Sequence, residues 1–248
     1  VPDSRRALSY LASILFLFSL WWLVAVWINN PGLPGPLPAL RSLVKAGWPE
    51  LARHFYISTY RVLGSLALAL IIGVPLGLLA GRHRAFDSFL APLVYLLYPV
   101  PKVALLPVAM VLLGIGDTTK MLVIFLVIVN QILITTRDAA RQIPPQLLLS
   151  VASLGAGKIS LYRQVIIPAC LPEIITASRI SLGSAISVLF LSETIAGNSG
   201  LGYFILDGLF RADYGAMFAG ILAMAGMGLV LYMMLNFLEY LLCPWQRL

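Results

Sequence analysis

Charge, cysteine and histidine are all scarce in this sequence, and each shortage closes off a class of function. Asp, Glu, Lys and Arg make up 11% of 248 residues, against about 25% in an average soluble domain. Together with 60% hydrophobic residues and a mean hydropathy of +0.94, this excludes an ordinary water-soluble globule. The two histidines, His54 and His83, each stand beside an arginine with no other ligand near, so a metal site lacks donors. The two cysteines, Cys170 and Cys243, fall on the side read below as cytoplasmic, where a reducing milieu leaves them free thiols. A net charge of +7 arises without any basic run interleaved with aromatics, which removes nucleic acid as a partner. The phosphate-cradling G-x-x-x-x-G-K-[ST] motif is missing. "GAGKIS" at 155–160 has neither the first glycine nor a strand before it. No nucleophile–base pair stands out either, so a membrane-embedded enzyme has no support. An internal inverted repeat, the mark of many secondary transporters, is also missing. The chain is expected to be no enzyme and to carry no cofactor of its own.

What is present is hydrocarbon in long runs. A membrane helix needs about 20 mainly apolar residues, and six segments qualify: Ser9–Ile28, Val62–Gly81, Ser88–Gly116, Met121–Thr136, Ile174–Ser192 and Tyr214–Leu238. Within them only Lys102 and Arg179 are charged. The first is too long for a signal peptide, and no small-residue cleavage site follows it. Trp21, Trp22 and Trp27 near its end read as interfacial anchors. The pattern predicts an all-α polytopic protein with six transmembrane helices, a single transmembrane domain over residues 1–248.

Loop cations orient it. With the N-terminus inside, the inner segments hold Arg5, Arg6, Arg82, Arg84, Arg137, Arg141, Lys158, Arg163 and Arg247. The outer ones hold Arg41, Lys45, Arg53, Arg61, Lys120 and Arg211, four of them in one long loop. The bias favours both termini in the cytoplasm. The long loop opens with "NNPGLPGPLPAL", too rich in proline for membrane helix. It continues with "LRSLVKAGWPELARHF", which reads as a short amphipathic helix on the outer surface.

The longest inner loop, about 137–173, holds "SVASLGAGKISLYRQVIIPACLPEI". Leu147, Ser150, Val151 and Leu154 recur at helical spacing, "GAG" at Gly155–Gly157 interrupts them, and Ile159, Tyr162, Val165 and Ile166 form a second face. Pro168 and Pro172 bracket the return to the next span. Two short helices on a glycine elbow are expected. They either rest on lipid headgroups or present an apolar knob to a cleft in a soluble partner.

Gly155, nine residues, then Val165, Ile167 and Pro168 match G-x9-I-x-L-P. With "GVPLGLLAGR", "YPVPKVALLPVAMVLLGIGDTTK" and "SETIAGNSGLGYFI" in the same order, nearly the whole chain resembles permease subunits of binding-protein-dependent ABC importers. The nitrate/sulfonate/taurine-type subfamily fits best. The family's loop begins Glu-Ala-Ala, where this chain has Leu149, Ser150 and Val151, so any ion pair from that glutamate is in doubt. The resemblance implies the type I ABC importer permease fold in a bacterial cytoplasmic (inner) membrane. Its implied partners are a second copy of the chain, two ABC ATPase subunits that bind ATP and Mg, a periplasmic or lipid-anchored solute-binding protein, and membrane lipids. It also implies ATPase coupling through Ser150, Val151, Ala152, Leu154, Gly155, Ala156, Lys158, Tyr162 and Pro168. Nitrate, sulfonates, bicarbonate and neutral vitamin precursors all fall within permeases of this look.

Polar groups inside spans are the candidates for a solute pathway or gate. Lys102, after the double proline of "YPVP", either attracts an anion or snorkels and caps a broken helix. Asn130 and Gln131 either face the path or hydrogen-bond between helices. Ser184 and Ser187, with Ser181 and Gly183, make one side of the fifth span small and polar. Arg179 is expected to pair with Glu173 or headgroups. Glu193 lies before a glycine-rich loop where the family also has a glutamate, which implies a gate or structural role.

Overall fold

The computed structural model describes residues 4–45 and 47–247; residues 1–3, 46 and 248 of the expected single domain lie outside them. Every regular element among the described residues is helical. Five helices are long and apolar enough to cross a bilayer, and a bent pair supplies a sixth crossing.

The elements in order are α1 (Ser4–Ile28), α2 (Pro36–Lys45), α3 (Trp48–Arg82), α4 (Arg84–Leu97) and a 3₁₀ turn (Lys102–Leu105). Then come α5 (Leu106–Leu113), α6 (Asp117–Gln142), α7 (Pro145–Ser153), α8 (Lys158–Leu161) and a π turn (Tyr162–Ile166). The chain finishes with α9 (Ile167–Ala196), α10 (Leu201–Phe210), α11 (Tyr214–Leu242) and a 3₁₀ turn (Pro244–Arg247).

Two of these differ from the reading of the sequence, and the break expected at the double proline is present. The proline-rich stretch is irregular only as far as Gly35, because Pro36 opens α2, where a missing N–H costs nothing. The expected amphipathic helix over "LRSLVKAGWPELARHF" is split near Gly47, and its second half is the start of α3. Polar residues such as Arg53, His54, Ser58 and Arg61 therefore ride on the helix that becomes a span. The third span is broken: Pro99 and Pro101 remove two N–H donors, and its halves meet at 82°.

Packing divides the chain into two compact units, Val1–Ile57 with Ser199–Gly226, and Ser58–Asn198 with Met227–Leu248. In the first, Trp21 Nε1–H donates to the Pro34 carbonyl at 3.1 Å, and its ring stacks on Phe218. These contacts leave Trp21 half-buried, while Trp22 and Trp27 are exposed. His54 Nδ1 accepts the Gly200 N–H at 2.9 Å beside Tyr203 and Phe204, fixing the start of α10. That short apolar helix follows the fifth span where only a glycine-rich loop was expected.

In the second unit α3, α6 and α9 form the core. Gly73, Gly77 and Gly81 lie one turn apart on α3 and face α6. A Cβ at Gly77 would stand 2.7 Å from the Leu133 carbonyl oxygen, and one at Gly81 2.5 Å from that of Arg137. Only glycine permits such backbone approach, the small-xxx-small device of membrane helices. Leu78, Ala140, Ile143, Leu148, Ile166, Cys170 and Ile174 then close a buried cluster under α7 and the π turn.

Candidate functional site

The loop is built outward from that cluster. Ile143 and Leu148 are buried and pin both ends of the α6–α7 connection. The one inward residue at the middle of α7 is Leu148, so Leu147, Leu149 and Leu154 are left outside. The Leu154 and Gly155 N–H groups donate to the Val151 and Ala152 carbonyls at 3.2 and 3.0 Å, closing the helix end. Gly155 has φ +84° with open space where a side chain would go. It is the left-handed residue that ends a helix. Leu154 and Ile159, on either side of this elbow, are 87% and 85% exposed. Lys158 is exposed beside them and Ala156 half-buried. Ser150 is exposed and its hydroxyl donates to the Gln146 carbonyl; Val151 is half-buried and Ala152 exposed.

Beyond the elbow the expected second, separate helix is absent. α8 passes into α9 through the π turn, where the Ile167 N–H donates to the Tyr162 carbonyl. Lys158–Ile195 is one helical run, and the prolines lie inside it rather than bracketing it. Pro168 lacks an N–H and would clash with the carbonyl four residues back in a regular helix. The wider turn, with one residue more per turn, relieves that clash. Tyr162, Val165 and Ile166 pack on the buried cluster, and the Tyr162 hydroxyl lies 3.5 Å from His83 Nε2. Only Ile159 of the expected second face points outward.

The pathway candidates are scattered. Lys102 Nζ donates to the Tyr98 carbonyl at 3.1 Å and lies 5.7 Å from the centre of the Tyr98 ring, tying down the break in its own span. Asn130 is half-buried and Gln131 exposed near the middle of α6. Gly183, Ser184 and Ser187 form an exposed stripe on α9, but Ser181 is buried. Arg179 does not pair with Glu173: it bonds Glu239 at 2.9 Å and Asn236 at 2.5 Å, both on α11.

Glu193 is fully buried. It accepts hydrogen bonds from the Ser58 hydroxyl at 2.8 Å and from Arg61 Nη1 at 2.6 Å. Arg61 also bonds Asp117, so one guanidinium joins α3 to the start of α6 and the end of α9. Arg61 and Lys120, expected as outer-loop cations, are both buried. At the other end of α6, Arg137 and Arg141 both grip Asp87 of α4.

Residues 73–247 match the family described as binding-protein-dependent transport system inner membrane component. The chain belongs to this family of permeases. Its full-length relatives include the taurine transport system permease protein TauC of Escherichia coli (strain K12). That protein is 32% identical, with 99% of this chain and 92% of its own covered. The nitrate import permease protein NrtB of Synechocystis sp. is 27% identical over 79% of this chain and 72% of its own. An inward-facing structure of the MetNI methionine ABC transporter superposes with a TM-score of 0.67 at 18% identity, covering 77% of this chain and 95% of that one. The fold is therefore that of the type I ABC importer permeases, and the chain is a permease of the nitrate/sulfonate/taurine type.

In this permease two features went unread in the sequence. The G-x3-G-x3-G spacing of Gly73, Gly77 and Gly81, which marks the α3–α6 seam, is a signal that could have been found. Asp87, Arg137 and Arg141 had no such signal, since nothing in a sequence without an alignment brings residue 87 to residue 137.

Proposed function

We propose that this permease carries a small, anionic solute across the cytoplasmic membrane, driven by a separate ATPase that docks on the Leu154–Ile159 knob. The observation that carries the reading is the pair of exposed apolar side chains on a left-handed Gly155, standing on a buried base. A knob meant only to rest on lipid needs no fixed angle. A knob that seats in a cleft does, and the elbow and the π turn set that angle.

ATP and Mg belong to that partner, so this chain is no enzyme and holds no cofactor. Two copies of the chain with two ATPases would form the transporter, with both termini cytoplasmic. A binding protein would deliver solute on the opposite side. The path would run between the copies past Asn130, Gln131, Ser184 and Ser187, with Lys102 acting by position at the bend. Glu193, buried at the end of α9, would act as a gate residue held in place by Arg61 and Ser58. The anionic class rests on the relatives: taurine carries a sulfonate, and nitrate is an anion.

The test is purification of the tagged chain from its native membrane. A P-loop protein should co-purify, and the Leu154→Glu/Ile159→Glu variant should lose it while still inserting. Recovery of that protein by the charged variant at the level of the unaltered chain would overturn the docking role.

A further inference from the structure

We infer that Asp87 is a positioning residue that makes the broken span move with the coupling loop. The inference rests on the ATPase-coupling role proposed above and assigns the element that follows the loop.

α4 is poorly held by apolar packing. Of its fourteen residues only Asp87 and Val94 are buried, while Phe89, Leu93, Tyr95, Leu96 and Leu97 are exposed. A void of about 30 Å³ remains between α4 and α6, lined by Leu90, Val94, Leu133 and Ile134. Beyond the one-residue link to α3 through His83 and a Tyr95 contact with Arg137, what fastens the helix is its single buried carboxylate. Asp87 accepts from Arg137 Nε and Nη2 and from Arg141 Nη2. Those two arginines lie one turn apart at the end of α6, and α7 begins three residues after that end. The same stretch of α6 is locked to α3 by Gly77 and Gly81, and to the loop by Ile143 and Leu148. α6, the loop base and α3 thus share one body, to which α4 is joined through Asp87.

The connection matters because α4 leads directly to the 82° break, where Lys102 holds the Tyr98 carbonyl. Charge-assisted, two-armed bonds to one carboxylate transmit direction as well as attraction. Displacing the end of α6 therefore carries Asp87, α4 and the break along with it. Without the carboxylate, only the His83 link and the Tyr95 contact remain to draw α4 along.

The test uses the complete transporter in proteoliposomes with a single reporter, Val100→Cys, at the break. Background labelling is low because Cys170 and Cys243 are buried. The probe is a charged maleimide, with and without Mg·ATP. In the Val100→Cys parent, Mg·ATP should change the labelling rate by about threefold or more, the scale on which coupling variants act. Asp87→Asn should lower the unfolding midpoint, since it strands Arg137, and should abolish that change while keeping the co-purified ATPase; Asp87→Glu should restore the response. A response that persists in Asp87→Asn overturns the inference, as does a parent that holds its ATPase yet shows no response. So does an Asp87→Asn loss that comes with loss of the ATPase, which would make the clamp merely structural. If no ATPase co-purifies with the parent, the proposed function itself fails, and the inference falls with it.

Discussion

Arg61 Nη1 meets Glu193 Oε1 at 2.6 Å, and neither side chain reaches solvent. The pair joins the second span to the end of the fifth, and Asp117 adds the start of the fourth on the same guanidinium. Removing one partner of a buried pair strands the other charge, at a cost of about 3–5 kcal/mol.

Glu193→Gln keeps a hydrogen-bonding group for Ser58 but strips half the counter-charge from Arg61. Asp117 remains, so the expected loss is near the lower end of that range, about 3 kcal/mol. Thermal unfolding in detergent would show it as a lowered midpoint. The variant should still recover the ATPase, whereas stimulation of hydrolysis by the binding protein should fall. Unchanged stimulation would leave Glu193 with a purely architectural role.

Gly155→Val forces a β-branched residue to φ +84°, a strain of about 1–3 kcal/mol. No steric clash adds to this, because the space around Gly155 is open. A cost of that size in one turn leaves the six-span body intact, so the variant should insert at normal levels. It should lose ATPase co-purification and uptake, because the knob is held at the wrong angle. Gly155→Asn should recover part of both, since asparagine tolerates the left-handed region better than other side chains. Recovery of the ATPase by Gly155→Val at the level of the unaltered chain would remove the need for a fixed elbow.

Lys102 caps the Tyr98 carbonyl at the helix break, so its donor matters before its charge does. Lys102→Met should weaken the bend by about 1 kcal/mol, the net worth of one hydrogen bond, and lower uptake. Lys102→Gln should restore uptake if capping is the whole role. If Gln fails where Arg succeeds, the positive charge serves the solute directly. Uptake assays of the three variants at matched expression decide between these outcomes.

Much of this was legible in one sequence, and what was not follows a pattern. Long uncharged runs placed the spans because a bilayer admits little else, and Gly155 announced its elbow because the residues around it keep helical spacing. The α3 boundary was misplaced because Arg61 looks like a loop cation until Glu193 and Asp117 are seen to neutralise it. Arg179 is read as pairing with Glu173 or headgroups, while its partners, Glu239 and Asn236, lie on another helix. Prolines read as helix ends at Pro168 and Pro172, but a π turn let the helix continue. Local chemistry was readable, and partners distant in the chain were not.

The unbroken run from Lys158 to Ile195 has a mechanical corollary. At 1.5 Å of rise per residue its 38 residues make a rod of roughly 57 Å, with Ile159 near one tip and Glu193 near the other. A π turn and Pro172 bend it on the way. One helical element nevertheless carries both Ile159 of the knob and Glu193 of the buried ion pair, so neither can shift along the axis without the other.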